Sequence, residues 1–255
     1  MLVAAGPATP RADFLRLALV ENLTVEPMEH DLSPAISAEA EHAMQEDFRR
    51  FVSDRAFPCV GAKSAANRGR LDLVVCDELG SERSALTLCD RLARFSAAYP
   101  APGEEPVSLA AIFIGSAGAE DQFHDRLWRQ LQLVHELDAR THGWAEGVSA
   151  DPAANDFSFS VAERAFFVVG LHPHSSRLAR RAPRPTLVFN FHDQFEALRA
   201  SGRYAKLQAA IRERDVDLQG HINPVLAQFG DASEARQYSG KNGGVCPFHA
   251  LRAVA

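Results

Sequence analysis

The segment most informative about the fold is FSFSVAERAFFVVGLHPHSSRLARRAPRPTLVFNFHDQFEALR, residues 157–199. Two apolar, β-rich runs, FSFSVAERAFFVVGLHP and PTLVFNF, flank the basic segment HSSRLARRAPR. Short apolar runs bounded by turn residues are typical of buried strands. A helix is expected to follow, from about His192 to Asp215. The stretch therefore predicts strands of a central sheet with a helix after the last of them.

The sequence before this stretch alternates between helical and strand-like segments. Residues 35–54 and 119–140 carry apolar positions at helical spacing. LDLVVCD (71–77) and SLAAIFIG (108–115) read as strands. The segment between them reads as a helix with Ser81 as its N-cap and Ser84 as a second candidate for the cap. FPCVGAKSAANRG (57–69) reads as a break that supplies polar groups.

No internal repeat or linker divides the chain, so one domain is expected over residues 1–255, with residues 1–30 as a peripheral extension. The predicted fold class is α+β: a single domain with a mixed or mainly antiparallel central sheet flanked by helices.

The amino-acid composition and net charge exclude some classes of protein. The 255 residues are 46% hydrophobic and 24% charged, and 27 basic against 33 acidic residues give a net charge of −6. A nucleic-acid binder usually has a basic excess, so no nucleic-acid partner is expected. Apolar runs are strand-sized and no secretory signal is seen, which predicts no membrane partner and a cytoplasmic location. Ten His and 16 Phe are the one hint of chemistry, because together they can ligate and enclose an apolar cofactor.

Common catalytic and nucleotide-binding motifs are absent. The sequence contains no GxxxxGK[ST], GxGxxG, HExxH or GxSxG motif. The four cysteines form no CxxC pair, which disfavours a four-Cys zinc site. Cys76 and Cys89 read as core residues, whereas Cys59 and Cys246 lie in the Pro-containing turns FPC and CPF.

The segment LHPHSSRLARRAPR (171–184) is the strongest candidate site. His172 and His174 leave an apolar run and are followed by four arginines. A haem would use an axial His and Arg partners for its propionates. An open metal site on His172, His174 and His192 is an alternative. A solvated strand exit without a ligand is the third interpretation, and the residues alone leave all three open.

Two further segments carry candidate polar groups. His192 and Asp193 lie where a strand passes into a helix, and Asp193 could cap that helix. Residues 220–240 read as a loop that closes over a pocket or as an ordinary terminal wrap. Their candidate substrate contacts are Glu234, Arg236, Gln237 and Tyr238.

Several blocks in order carry a family resemblance. They are FPCVGAKSA (57–65), LWRQLQLVHELD (127–138), FFVVGLHPHSSRLARR (166–181), FNFHDQFEALR (189–199), NPVLAQFGDASEARQYSG (223–240) and CPF (246–248). Over about residues 48–248 the chain resembles the YqcI/YcgG family, and most of all its arginine-hydroxylating branch. Some members are haem-dependent N-hydroxylases of guanidino groups, in D-cycloserine and guanitoxin biosynthesis.

The resemblance implies a haem b (iron protoporphyrin IX) monooxygenase that converts L-arginine or a related guanidine to its N-hydroxy form, N-omega-hydroxy-L-arginine for arginine. Dioxygen or peroxide and an unidentified electron donor would be its partners, and a homodimer is one possible assembly. The proximal ligand is expected to be His172, in the GLHP block, with Cys59 as its rival. Lys63, Arg177 and Arg181 are the candidates for the propionates.

The substrate requires further groups. Asp193, Glu196 and Glu234 are candidates for holding the guanidinium, with Asp193 and Glu234 also taken as catalytic, and Arg236 and Tyr238 for the α-carboxylate. Two alternatives to the hydroxylase stay open. One is a non-haem metal oxygenase or hydrolase using His172, His174 and His192, and the other is a non-catalytic haem-binding or sensor protein.

Overall fold

The computed structural model describes residues 36–101, 103, 105–222, 232–241 and 246–250. A five-stranded sheet runs through this part of the chain in the order β1-β2-β5-β4-β3. The strands are β1 (Leu71–Glu78), β2 (Ser108–Ile114), β3 (Phe159–Val161), β4 (Arg164–Leu171) and β5 (Thr186–Phe191). The expected extension at residues 1–30 lies outside the described residues.

Strand pairing confirms the predicted fold class. β1 and β2 pair in parallel, and the other three pairs are antiparallel, so the sheet is mixed and mainly antiparallel. A parallel pair needs a crossover, and the helix α3 (Glu82–Ala98) provides it. Ser81 caps α3 as predicted, because its side chain accepts a hydrogen bond from the Ser84 amide. The described residues from Ser37 onward form one compact unit.

Helices cover both faces of the sheet. The other helices are α1 (Ala38–Ser53), α2 (Val60–Asn67), α4 (Glu120–Asp138), α5 (His192–Ala200), α6 (Arg203–Gln219) and α7 (Ala235–Tyr238). Side chains alternate between the two faces along each strand, which creates two apolar clusters. One packs strand residues such as Leu109 and Phe189 against α3 and α4. The other packs Ala110 and Leu171 against α1 and the start of α2.

Two local predictions are wrong. The segment 57–69 was expected to be a break, but Cys59 caps the helix α2 within it. The single helix expected from His192 to Asp215 is two helices, because Gly202 adopts a left-handed conformation with φ of 70° between α5 and α6. That conformation suits glycine and does not continue an α-helix.

A tight turn divides the run at residues 157–173. Ala162 and Glu163 both have positive φ, 50° and 58°, and join β3 to β4 as a hairpin. Such turns favour Asn and Gly, so the sequence carries no signal for this one. Because β3 has only three residues, most of β4 is left without a partner strand on that side, and α7 contacts β4.

Among the described residues, no helix is both long enough and apolar enough to cross a membrane.

Candidate functional site

A largely apolar cavity of about 260 Å³ lies on the sheet face that packs against α1 and α2. We call it the Cys59 cavity. Its walls come from α1, α2, α5, α6 and four strands of the sheet, β1, β2, β4 and β5. Representative lining residues are Phe48, Phe57, Cys59, Ala62, Val169, Leu171, Arg177, Val188, Asn190, Phe195, Leu207, Ile211 and Asp215. Small-molecule pockets commonly measure roughly 300–1,000 Å³, so the cavity is slightly smaller than that range.

Cys59 places a thiol in the wall of this cavity. It is the N-cap of α2, and its Sγ accepts a hydrogen bond from the Ala62 amide at 3.4 Å. Burial raises the pKa of the thiol, against smaller lowering effects of the Ala62 and Gly61 amides and of Lys63. The free side chain is therefore a neutral thiol, which would lose its proton on binding a metal.

Arg177 and Asp215 bring a buried ion pair to the same cavity. Arg177 Nη2 donates to Asp215 Oδ2 at 2.5 Å, and both side chains are 7% exposed. Within the described part of the chain, the other terminal nitrogen, Arg177 Nη1, has no hydrogen-bond partner. A buried donor left unsatisfied is costly and is itself an indication of a missing acceptor.

Helix α6 forms one wall of the cavity. Leu207 and Ile211, four residues apart on α6, line the cavity and are only half-buried. Asp215 is the buried residue that α6 contributes among those described. Its ion pair with Arg177 and the hydrogen bond from the Leu178 amide to Gln219 Oε1 at 2.7 Å attach α6 to the segment that follows β4.

His172 lies on the opposite face of the sheet from the Cys59 cavity. Its ring stacks on Phe123 of α4, with centroids 4.3 Å apart, and Phe123 belongs to the cluster on the opposite face of the sheet. The side chain is fully buried, and neither ring nitrogen has a hydrogen-bond partner among the described residues. Burial lowers the pKa of His172 to about 4, although Glu120 acts in the opposite direction. His172 does not line the Cys59 cavity.

The three histidines of the alternative metal site are not brought together. Antiparallel β4 and β5 pair Leu171 with Thr186 and Phe166 with Phe191, so His172 and His192 leave opposite ends of the pair. At about 3.4 Å per residue, those ends are roughly 20 Å apart. Among the described residues no cluster of three metal-ligating side chains is found.

Lys63 and Arg181, the two other candidate propionate partners, do not line the Cys59 cavity. Lys63 donates to the Arg55 carbonyl at 3.0 Å, and Arg181 Nε donates to the Ser175 carbonyl at 2.7 Å.

Arg180, which the sequence did not single out, is buried and lines the cavity. It donates to three carbonyls, those of Gly170, Gln237 and Tyr238, and so attaches α7 to β4. Burial lowers its pKa to about 10.

Glu234 and Tyr238 form a buried polar pair beside β4. The Tyr238 hydroxyl donates to Glu234 Oε1 at 2.5 Å and accepts from the Phe159 amide at 3.1 Å. Ser158 also donates to Glu234 Oε1, at 2.8 Å, and His192 Nδ1 lies 3.9 Å from Oε2. Burial raises the pKa of Glu234 to about 7, despite the lowering effect of its hydrogen bonds from Tyr238 and Ser158.

The remaining candidates surround this pair or point to solvent. Asp193 pairs with Arg164 at 2.8 Å, and Glu196 pairs with Arg199 at 2.5 Å. Arg236 is exposed on α7. The hydroxyl of Tyr238 is already engaged inside the core, so it is not available to a substrate carboxylate in this arrangement.

A second and larger cavity, of about 1160 Å³, lies at the end of α4. We call it the Trp144 crevice. It is lined by His135, Glu136, Asp138, Arg140, His142, Trp144, Asp151, Cys246, Phe248 and His249, among others. His142 donates to Asp138, which also accepts from the Ala162 amide. Burial raises the pKa of Cys246 to about 11, so its thiol is protonated at neutral pH.

The donor set of the Cys59 cavity fits a haem in chemical character. Cys59 would hold the iron through its sulfur, the apolar walls would enclose the macrocycle, and the unpaired nitrogen of Arg177 would bind a carboxylate. The cavity volume of about 260 Å³ is below the usual range for small-molecule sites, so the cavity would have to widen to admit a haem.

Sequence reasoning missed Asp215 because that residue lies in a polar helix with no motif around it. Among the described lining residues, it alone carries a carboxylate.

Three of the sequence blocks quoted above meet at the cavity. The block at 57–65 contributes Cys59, the block at 166–181 contributes Val169, Leu171 and Arg177, and the block at 189–199 contributes Asn190 and Phe195. No curated protein and no solved structure matches the chain. A family model does: the model of the YqcI/YcgG family matches residues 48–249, and this protein belongs to that family.

Proposed function

We propose that this protein is a haem-dependent N-hydroxylase that oxidises a guanidino nitrogen of L-arginine, with haem b in the Cys59 cavity. One observation carries the proposal: a thiol, a buried guanidinium and a buried carboxylate meet on one apolar cavity. Dioxygen or peroxide and an electron donor belong to the same proposal, and the family resemblance is their source. A cytoplasmic location is also part of the proposal and rests on the strand-sized apolar runs of the sequence.

In this proposal Cys59 would hold the haem iron. The resemblance alone favoured His172, but that side chain stacks on Phe123 across the sheet, whereas Cys59 lines the cavity. Coordination would replace the proton that burial keeps on the thiol. A thiolate from Cys59 would supply electron density to the haem iron and so support the oxidising chemistry of the cofactor.

The chain's own residues hold and orient the reactants. The haem, when bound, supplies the oxidising chemistry, which the protein side chains lack. Apolar residues such as Phe57, Val169 and Val188 exclude water from the cavity. The paired Ser108 hydroxyl and Asn190 amide, joined at 2.7 Å, add a polar patch to the wall.

Asp215 provides a site at which a substrate guanidinium can replace the guanidinium of Arg177. In the described structure, the Asp215 carboxylate already binds a guanidinium, that of Arg177. A substrate guanidinium has the same charge and the same planar set of donors, so it can take the place of Arg177 on Asp215. Arg177, released from Asp215, can then bind a carboxylate of the cofactor or of the substrate.

Haem titration followed by turnover tests this function. The purified protein is loaded with haem, given L-arginine, a reductant and oxygen, and assayed for N-omega-hydroxy-L-arginine by mass spectrometry, with peroxide as a second oxidant. Product from wild type and a large loss in Asp215→Asn support the proposal. Haem binding without product under either oxidant would instead support a sensor, and failure to bind haem would reject both.

A further inference from the structure

A chain of aromatic rings connects the Cys59 cavity to the Trp144 crevice. Phe195 lines the cavity, and its ring lies 5.7 Å from that of Phe167. Phe167 lies 5.8 Å from Tyr238, which stacks on Trp128 at 5.6 Å. These centroid distances are within the range of direct aromatic contact.

The chain continues from Trp128 to the crevice. Phe248 contacts both Trp128, at 6.3 Å, and Trp144, at 6.0 Å, and Trp144 lines the crevice. Together these six rings are called the ring chain. Trp144 is half-buried, whereas Tyr238 and Trp128 are 0% and 1% exposed. The ring chain therefore runs through the core to an opening on the far side of the sheet.

Most of the readily oxidised aromatic side chains of the protein lie on the ring chain. The protein has two tryptophans and three tyrosines, and both tryptophans and Tyr238 belong to the ring chain. Indole and phenol are the aromatic side chains that lose an electron most readily, and benzene rings between them keep the spacing short. The two other tyrosines, Tyr99 and Tyr204, lie outside the ring chain.

Tyr238 also has the proton acceptor that phenol oxidation requires. Its hydroxyl donates to Glu234 Oε1 at 2.5 Å in the buried core. Removing an electron from a phenol makes the hydroxyl strongly acidic, so the proton moves to the nearest base. Trp128 differs, because its indole nitrogen is buried and has no hydrogen-bond partner among the described residues. Trp128 is therefore suited to pass an electron without losing a proton.

We propose that the ring chain carries oxidising equivalents between the Cys59 cavity and the Trp144 crevice, with Tyr238 and Glu234 as a redox-active pair. The source of the oxidant rests on the proposed function: a peroxide-level oxidant in the cavity removes one electron from Tyr238. Above the Glu234 pKa of about 7, where its carboxylate is ionised, the phenolic proton passes to Glu234, which leaves a neutral tyrosyl radical. Trp128 returns an electron to Tyr238, and the proton moves back from Glu234. Trp144 then reduces Trp128 and is itself reduced by a small reductant in the crevice.

Such a path has a clear use in an oxidising enzyme. If an oxidant forms in the cavity without a substrate, it attacks nearby side chains, including the Cys59 thiol. The ring chain would carry the oxidising equivalent to Trp144, where a reductant from solvent can remove it.

The conduction step can be tested without haem. Pulse radiolysis generates the azide radical, which oxidises accessible indole rings and thus Trp144 first. In the haem-free wild type, the absorption of the tryptophanyl radical should decay while that of a tyrosyl radical grows. Because the transfer is intramolecular, the rate should not depend on protein concentration. Tyr238→Phe should abolish the tyrosyl signal, and the matched variant Tyr204→Phe should keep it.

Two more variants locate the path. Trp128→Phe should abolish the intramolecular growth, and Glu234→Gln should slow it because the phenolic proton has lost its acceptor. If Trp128→Phe does not fold, Trp144→Phe makes the same test at the half-buried end, where it should remove the early tryptophanyl signal. A tyrosyl signal that survives in Tyr238→Phe, or growth that scales with protein concentration, would overturn the proposal. These results are independent of haem binding, so they separate this inference from the proposed hydroxylase function.

Discussion

Cys59 and His172 lie on opposite faces of the central sheet. Cys59 packs with Leu171 and the apolar cluster that faces α1, whereas His172 stacks on Phe123 in the cluster that faces α4. The alternation of side chains along β4 explains the separation, because consecutive residues 171 and 172 point to opposite faces. The two candidate ligands therefore cannot serve one cofactor site, and of the two only Cys59 lines the Cys59 cavity.

The buried pair Arg177–Asp215 should show strong coupling. Asp215→Ala leaves a buried guanidinium without its main partner and should cost about 3–5 kcal/mol in the free energy of unfolding. The double variant Arg177→Met/Asp215→Leu removes both charges and should recover most of that loss. Urea unfolding of the two single variants and the double variant measures the coupling. Additive losses would show that the two side chains do not interact.

Glu234 should make the protein less stable as the pH rises from about 4.5 to 7. Its pKa of about 7 in the folded state exceeds its ordinary value of 4.5, so the native state keeps a proton that the unfolded state has lost. Linkage then predicts a fall of about 3 kcal/mol across this window. Glu234→Gln should remove this part of the slope. The test is the difference between wild-type and variant unfolding free energies at several pH values, and a constant difference would contradict it.

His172 should make the protein more stable as the pH rises. Its pKa of about 4 in the folded state is below the ordinary 6.5, so between these values the unfolded state binds a proton that the native state does not. Stability should therefore rise with pH from about 4 to 6.5. His172→Phe keeps a ring against Phe123 and should flatten this rise. Thermal unfolding from pH 4 to 7 measures it, and an unchanged slope in the variant would disprove the assignment.

Gly170 should not tolerate a methyl group. A Cβ there would lie 2.6 Å from Leu127 Cδ1 and 2.9 Å from the Tyr238 carbonyl oxygen. Gly170→Ala should therefore push α7 away from β4 and cost about 1–3 kcal/mol. The matched control is Gly69→Ala, where no atom lies within 4 Å of the new Cβ but the positive φ of 67° is strained. Hydrogen exchange of residues 235–241 should increase in the first variant only.

Sequence patterns predicted the sheet well because strand and helix periodicity reflect burial directly. β1, β2 and α3 lie where apolar spacing and the Ser81 cap placed them. The break between α5 and α6 depends on the backbone conformation at Gly202, and an isolated glycine in a helical pattern does not reveal that conformation.

The candidate site was harder to predict than the fold. His172 was favoured because it follows an apolar run beside arginines, but the sheet face it occupies depends on strand register. Asp215 is distant in sequence from Arg177, and only the packing of α6 brings them together. Pairings of this kind follow from tertiary structure and leave no local pattern.

The absorption spectrum of the haem-loaded protein shows whether Cys59 or His172 holds the haem iron. Cys59→Ser keeps an N-cap acceptor for the Ala62 amide but removes the thiolate, and His172→Phe removes the imidazole. Wild type and His172→Phe should both show the red-shifted Soret band of a thiolate-ligated ferrous–CO haem, and L-arginine should shift the ferric spectrum. Cys59→Ser should lose that band. A Soret band that is unchanged in Cys59→Ser and lost in His172→Phe would contradict the account.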